Sequence, residues 1–401
     1  MKRILCILTT IVSILIQGTS SAQSPTASSD TTTLLGGVRD LALVGSPGQL
    51  CVYGTNAFPV IAGDVGKSGD AVVVAAARWN RGRVVAYSHN GYIDASKDAD
   101  AQRLMLNAVR WTGQIPAPKV AVRKKAGLVK QLQGQQIPVE ALDGATWIDR
   151  LKDFKVLCCD SEEIKGDDVQ KAVREFVQNG GGLVTGSTGW GWLQVNPGKT
   201  LTEDHWGNRL LSGIGIVWAD GTAGKTGPKG FVTNRKLSPY LHAGTALLLA
   251  HQMPTPPPSK DDLAQANWTV TQAIRSLPEN DTLLRPRLAA LLSLNSQPAP
   301  TGVKPLKSTD FSARLALTLQ LTANRSAAPE SIRAHPAASH FPGEVPATAA
   351  RLKGERRQIT SQQHGWKSLG LYAAPGELIR VTVPPAMASQ KLRVRIGCHS
   401  D

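Results

Sequence analysis

A glycine-rich turn at residues 186–192, with the sequence Gly-Ser-Thr-Gly-Trp-Gly-Trp, carries the side chains with the clearest potential for chemistry. The hydroxyls of Ser187 and Thr188 stand where a strand is predicted to give way to a helix, a place where many hydrolases hold their nucleophile. The indoles of Trp190 and Trp192 offer flat apolar faces and an N–H donor, which suit stacking on sugar rings. Trp206 offers the same chemistry, and interior packing is the alternative for all three indoles.

Asp160 is predicted to share one edge of a sheet with this turn. It follows an apolar strand at 155–159, and a helix over 165–179 leads to a second buried strand at 183–185. Strand, helix, glycine turn and strand make a parallel crossover unit, and ligands bind beyond the carboxyl ends of such strands. The predicted ligand cleft therefore consists of Asp160, Ser187, Thr188, Trp190 and Trp192. A simple turn cap is the alternative for Asp160.

Catalysis by this cleft is not predicted. A cysteine nucleophile at such a turn needs a histidine and a carboxylate nearby, but this turn has no cysteine and no partnered His-x-Glu is visible. None of the eight histidines is followed by Glu, and no two are four residues apart, so the zinc motif H-E-x-x-H is absent. We expect no catalytic residue, no metal ligand and no cofactor in these 401 residues.

The elements that must position the cleft predict an α/β fold. Residues 35–235 alternate short apolar strands with helices and are expected to form a Rossmann-like domain with a parallel sheet. Residues 236–335 read as a helical connector containing the stiff stretch 254–258, and residues 336–401 as a partial β-sandwich. In that last segment, 377–383 and 391–396 alternate apolar and polar residues as strands do.

The first 22 residues are predicted to be a signal peptide. Lys2 and Arg3 precede an apolar stretch at 4–16, and small residues at 20–22 suit cleavage after Ala22. We therefore expect a secreted, periplasmic or cell-surface protein with no integral membrane span after cleavage. The polar, Ser/Thr-rich residues 23–34 are predicted to be a flexible leader.

The charge of the chain narrows the classes of partner that it can bind. The chain has 45 Lys and Arg against 30 Asp and Glu, a net charge of +15 that favours anionic surfaces. Its basic runs, 123–125 and 351–357, lack interleaved aromatics, so no nucleic-acid partner is expected.

The cysteines left after signal cleavage are too sparse for a disulfide scaffold, and their redox state stays open. They are Cys51, Cys158, Cys159 and Cys398.

The end of the chain resembles a known family. The segments that carry the resemblance are HFPGEVP at 340–346, WKSLGLYAAPGE at 366–377, the run 379–384 and RVRIGCHSD at 393–401. They resemble the β-sandwich module that precedes the catalytic domain of enhancin-like metallopeptidases, a family that includes viral enhancins, bacterial mucin-degrading enzymes and animal TRP-channel-associated factors. One departure is Leu369, where the family pattern has Thr.

The earlier part resembles the class I glutamine amidotransferase-like region of the same proteins. The matching segments are GTNAFPV at 54–60, GRVVA at 82–86, the glycine-rich run 180–191, and NRLL at 208–211 ahead of 213–216. The family's chemistry is zinc-dependent peptide hydrolysis, often near O-glycans on mucin-type substrates. Because the family's zinc motif is missing here, zinc is expected only in a missing catalytic domain. The chain is therefore interpreted as a truncated gene product or fragment, or as a protein that has lost its catalytic part.

The resemblance therefore implies a secreted, non-catalytic N-terminal portion that binds glycoprotein or cell-surface glycan. Two alternatives remain open. One is an independent α/β hydrolase or amidotransferase-like enzyme that uses Ser187, Thr188 or Cys158. The other is a structural protein of the cell envelope.

Overall fold

The computed structural model describes residues 25–251, 254–294 and 300–390, except 302, 308–309, 333, 335, 341–342, 360–364 and 375, together with residues 392, 394 and 396. The predicted signal peptide lies outside the described residues. The chain divides into two compact units, Met1–Leu294 and Asn295–Asp401.

The strands of the first unit are short, apart from two longer ones in its antiparallel half. They are β1 (Asp40–Ala42), β2 (Gln49–Val52), β3 (Ala57–Asp64), β4 (Asp70–Trp79), β5 (Gly82–Tyr87), β6 (Val120–Val122), β7 (Val139–Ala141), β8 (Val156–Asp160), β9 (Gly182–Gly186), β10 (Ile216–Ala219) and β11 (Gly230–Val232). The α-helices are α1 (Pro25–Leu34), α2 (Ala99–Gly113), α3 (Ala126–Gly134), α4 (Asp167–Gln178), α5 (Gly189–Val195), α6 (Trp206–Leu211), α7 (Ala243–His251), α8 (Lys260–Ser276), α9 (Arg285–Leu294) and, in the second unit, α10 (Phe311–Ser326).

Within the described residues, one sheet of nine strands forms the centre of the first unit, in the order β10-β2-β4-β5-β9-β8-β6-β7 with β3 beside β4. The strands β5, β9, β8, β6 and β7 pair in parallel, as the crossover pattern predicts. The strands β10, β2, β3 and β4 pair antiparallel, and β4 joins the two halves through an antiparallel pair with β5. The α/β class is confirmed, but the sheet is mixed rather than parallel throughout.

Two apolar layers cover the sheet because successive side chains of a strand point to opposite faces. On β5, Val85 and Tyr87 pack in the layer that contains α2 and α3. Val84 and Ala86 pack in the other layer, with α4 and the 3₁₀ segment Trp147–Asp153. Helices therefore flank the parallel half on both faces, which leaves the carboxyl edge of its strands to loops.

Residues 25–34, the greater part of the predicted flexible leader, form helix α1. The carboxylate of Asp30 is buried, accepts two hydrogen bonds from the Arg78 guanidinium at 2.7 and 2.8 Å, and accepts a third from the Trp111 indole at 2.9 Å. Leu34, at the end of α1, is fully buried in the core. The Ser/Thr-rich composition predicted flexibility because it hid these two anchors. The hydrogen-bond partners of Asp30 lie 48 and 81 residues away in the chain.

Helices α7, α8 and α9 belong to the first unit, so the division at 294 differs from the boundaries predicted at 235 and 335. One reason is Gln265 on α8. Its side chain accepts from the backbone N–H of Asp70 at 2.7 Å and donates to the Asp70 carbonyl at 2.9 Å. That pair of hydrogen bonds fastens α8 to the start of β4.

The predicted strand at 377–383 is wrong for this structure. These residues have no strand hydrogen bonding, and all seven are exposed. Alternation of apolar and polar residues stabilises a strand only where a neighbouring strand supplies hydrogen bonds and one face is covered. In the described part of residues 300–396 neither condition is met and no strand occurs, so the predicted partial β-sandwich is not formed there. Most of the second predicted strand, 391–396, lies outside the described residues.

Candidate functional site

The predicted cleft residues meet at one edge of the sheet. Asp160 is the last residue of β8, and its register partner is Gly186, the last residue of the adjacent strand β9. Ser187 and Thr188 follow β9 directly, and Trp190 and Trp192 lie on α5. Helices leave the neighbouring strands β6 and β8 toward opposite faces, which opens a crevice of the kind where α/β proteins bind ligands.

Their side chains divide between the two faces. On β8, Asp160 lies on the same face of the sheet as Val156 and Cys158, which pack toward α2. After β9, Ser187 lies on the same face as Leu183, which packs toward α4. The carboxylate and the hydroxyl therefore serve two separate groups of contacts.

Ser187 has a histidine partner that its surrounding sequence did not reveal. Its Oγ lies 3.0 Å from Nε2 of His205, and both side chains are buried. On the other side of the ring, Nδ1 accepts a hydrogen bond from the backbone N–H of Asn208 at 3.1 Å. Because that N–H can only donate, Nδ1 is unprotonated. The ring proton is therefore on Nε2, which donates a hydrogen bond to the Ser187 hydroxyl.

This arrangement has the wrong tautomer for nucleophilic catalysis. A catalytic histidine must accept the serine proton at Nε2, with its Nδ1–H held by a carboxylate. In this chain the Asn208 N–H occupies that place, and His205 serves as the N-cap of α6. Burial lowers the pKa of His205 to about 3. The imidazole is thus a structural cap and a donor, not a base.

The Ser187–His205 pair should therefore be inert toward serine-directed reagents. Incubation of the purified chain with a fluorophosphonate probe between pH 6 and 9 should leave Ser187 unlabelled, as read by peptide mass spectrometry, because its hydroxyl is not activated. An active serine hydrolase in the same reaction controls for the reagent. Labelling of Ser187 that disappears in a Ser187→Ala variant would support the hydrolase alternative instead.

Asp160 takes part in an ion-pair network and not in a turn cap. Its carboxylate lies 3.2 Å from Nζ of Lys125, which also lies 3.8 Å from Asp94. The 3₁₀ turn that follows Asp160 receives no hydrogen bond from its side chain. Burial raises the pKa of Asp160, and Lys125 acts in the opposite direction. Lys125, from the loop after β6, thus bridges the crevice between β6 and β8.

The three indoles differ in the ring surface they leave to a ligand. Trp192 is only 7% exposed and packs edge-on against the His205 ring, with centroids 5.2 Å apart. Trp190 is half-buried, and its indole N–H donates to the Ser46 carbonyl at 3.0 Å. Trp206 is also half-buried, with the Arg209 guanidinium 4.5 Å from its ring centroid. Stacking on a sugar is therefore open to Trp190 and Trp206 but not to Trp192.

Sequence reasoning missed His205, Asn208 and Lys125. His205 lies 18 residues beyond its serine partner, and no motif in the sequence marks the histidine. Lys125 belongs to the basic run 123–125, but only 15% of its side chain is exposed. The available signal was the position of Lys125 directly after a predicted strand, at the same edge as Asp160.

Among the described residues, no three or more His, Cys, Asp or Glu side chains are grouped so that they could hold a metal ion. The same residues include no helix long and apolar enough to cross a bilayer. The expectation that this chain carries no metal ligand or cofactor stays a prediction.

Comparison with known proteins gives two family matches. Residues 2–229 match the model TCAF_N, described as "TRPM8, N-terminal domain". Residues 347–401 match the N-terminal domain of M60-like peptidases.

Individual relatives are similar over most of this chain. A TRPM8 channel-associated factor homolog from Xenopus laevis is 27% identical over 382 residues, which cover 92% of this chain and 38% of the relative. Human TRPM8 channel-associated factor 1 is 28% identical over 395 residues, covering 93% and 40%. The chain thus spans about two fifths of the length of these relatives.

A search of solved structures finds the IMPa metallopeptidase of Pseudomonas aeruginosa, in complex with an O-glycopeptide. It is 18% identical, with a TM-score of 0.38, covering 78% of this chain and 36% of that one. Because the first family model covers more than half of the 401 residues, this protein belongs to the TCAF_N family.

Proposed function

We propose that this chain is a secreted, non-catalytic N-terminal region of an M60-like peptidase that binds glycoprotein. The observation that carries the proposal is the match of residues 347–401 to the N-terminal domain of M60-like peptidases. Secretion follows from the predicted signal peptide. We also interpret the first unit as an amidotransferase-like domain that keeps a strand-to-helix turn after β9 but has Ser187 at the position of the nucleophile.

The geometry of the carboxyl edge supports binding without catalysis. The imidazole of His205 beside Ser187 is held in the tautomer that cannot activate the serine hydroxyl. Near it, Trp190 keeps part of its ring accessible while Ser46 fixes its orientation. A ring that is already oriented loses little conformational entropy on stacking, which favours sugar binding. Hydroxyl-rich glycans also suit the half-buried Asp160–Lys125 pair, which can accept and donate hydrogen bonds.

A second class of partner comes from the relatives. They are named for an association with the TRPM8 channel, and the similarity covers more than nine tenths of this chain. Co-precipitation with that channel from detergent extracts tests this alternative directly. A catalytic role for Ser187 is a third reading, favoured by its 3.0 Å contact with His205 and opposed by the tautomer.

Trp190→Ala is expected to weaken binding to an O-glycosylated mucin peptide about fivefold, because a stacked aromatic contributes about 1 kcal/mol to such a site. Biolayer interferometry with an immobilised peptide, glycosylated or not, measures the effect. Tyr240→Ala is the matched control, since Tyr240 is another half-buried aromatic, located before α7. Equal binding by the wild-type chain to both forms of the peptide would contradict the proposal.

A further inference from the structure

Histidine side chains begin three helical segments of the first unit. Nδ1 of His89 accepts from the Gly91 N–H at 2.9 Å, at the start of the 3₁₀ turn Asn90–Ile93. Nδ1 of His205 accepts from the Asn208 N–H and caps α6. Nδ1 of His242 accepts from the Thr245 N–H at 3.2 Å, at the start of α7. Each ring thus takes the place usually held by Ser, Thr, Asp or Asn, which have no proton to gain near neutral pH.

In two of the three histidines, the hydrogen bond made by Nε2 fits the same neutral tautomer. Nε2 of His205 donates to Ser187, and Nε2 of His242 donates to the Gly54 carbonyl at 3.0 Å. A protonated imidazole carries a hydrogen on Nδ1, which would then point at the backbone N–H that it now receives. Protonation therefore converts each cap into a repulsive contact. For His242 alone, Oγ1 of Thr245 at 3.4 Å offers a weak substitute acceptor.

All three caps lie at one edge of the sheet. β2 runs antiparallel to β4, and β4 runs antiparallel to β5, so β2 and β5 point the same way. β9 is parallel to β5. Gly54 follows β2, His89 follows β5 and Ser187 follows β9, so the contacts of the three histidines gather at the carboxyl edge.

The groups that face these rings disfavour a proton. The charge of Lys125 lowers the pKa of His89, whose ring also meets the Tyr92 ring edge-on, with centroids 6.5 Å apart. The charge of Arg287 lowers the pKa of His242, and its guanidinium donates to the Gly244 carbonyl at 2.8 Å. His205 lies between the indoles of Trp192 and Trp218. Cations and apolar rings around an imidazole disfavour its charged form, and for His242 the hydrogen bond with the Gly54 carbonyl only partly opposes them.

We propose that His89, His205 and His242 form an acid-sensitive latch: their neutral rings hold three helical segments at the carboxyl edge of the sheet, and acid favours the opened chain, in which the three histidines are free to take up protons. Burial is the main cause that lowers the pKa of each histidine, and the pKa of His205 falls to about 3. In the unfolded chain a histidine titrates at about pH 6.5. The unfolded state therefore binds more protons below that pH, and stability is complete above it and declines as the pH falls.

Urea unfolding of the full chain, followed by tryptophan fluorescence at pH 7.5, 6.5 and 5.5, tests the latch. His205 alone should raise the unfolding constant about tenfold between pH 7.5 and 5.5. His89→Asn should reduce this dependence, because asparagine keeps an acceptor at the cap and does not titrate. His340→Asn is the control, since His340 is exposed and lies in the second unit. An unfolding constant that is the same at pH 7.5 and 5.5 would overturn the proposal.

A direct measurement does not depend on any variant folding. Nitrogen chemical shifts of the histidine rings in the wild-type chain report tautomer and charge. Three neutral rings protonated at Nε2 are expected at pH 7, with the ring of His205 still neutral at pH 5.5. A ring of His205 that is protonated at pH 6.5, or neutral with its proton on Nδ1, would refute the latch.

Discussion

Replacing Asn208 by alanine should lower the free energy of unfolding by about 4 kcal/mol, because three buried backbone groups lose their only side-chain partner. The fully buried amide donates to the carbonyls of Leu201 and Trp218 at 3.0 and 2.9 Å, and its oxygen accepts from the Trp218 N–H at 2.7 Å. It thereby joins α6 to β10 and to the loop ahead of His205. Urea denaturation at pH 7.5 measures the loss.

The matched control is Asn196→Ala. The side chain of Asn196 makes a single hydrogen bond, to the Trp192 carbonyl at 2.9 Å, and is only half-buried. Its loss should cost less than about 1 kcal/mol. If both variants lose the same stability, the Asn208 network is not the feature that holds α6 in place. The Asn208→Asp variant should have nearly the same free energy of unfolding as Asn208→Ala, because a carboxylate cannot donate to the two carbonyls.

Replacing Asp30 by alanine should lower the free energy of unfolding by about 2 kcal/mol. The carboxylate is buried, and its removal leaves the Trp111 indole without its acceptor in the core. The Arg78 guanidinium is more than a third exposed, so water replaces part of what it loses and limits the effect. Ser29→Ala, one residue away on the exposed side of α1, should have almost no effect.

Acid should remove the difference between wild type and Asp30→Ala. Burial by itself raises the pKa of Asp30, but the hydrogen bonds from Arg78 and Trp111 outweigh it, so the pKa lies below its ordinary value. A depressed carboxylate pKa stabilises the fold above the unfolded value of about 3.9 and loses that contribution as the pH falls. Equal stability of the two proteins at pH 7 would mean that residues 23–34 are the flexible leader that their composition predicts.

Local pattern was enough to place the candidate cleft. Two apolar strands with a helix between them fix Asp160 and Ser187 at neighbouring carboxyl ends, since a parallel crossover has one handedness and one edge. The chemistry at those ends could not be predicted in the same way. Lys125 reaches Asp160 from the loop after β6, and His205 reaches Ser187 from beyond α5. Both contacts exist only after the sheet has assembled.

The sequence by itself determined the α/β class, the crossover unit and the sheet edge at which Asp160 and Ser187 meet, because these follow from the period of apolar residues over short segments. Tertiary structure decided what each polar residue does there. It turned a Ser/Thr-rich leader into the anchored helix α1, buried Trp192 and set His205 in its non-catalytic tautomer. The physical reason is that a side chain's burial and protonation depend on partners that are distant in the chain, and no local pattern encodes them.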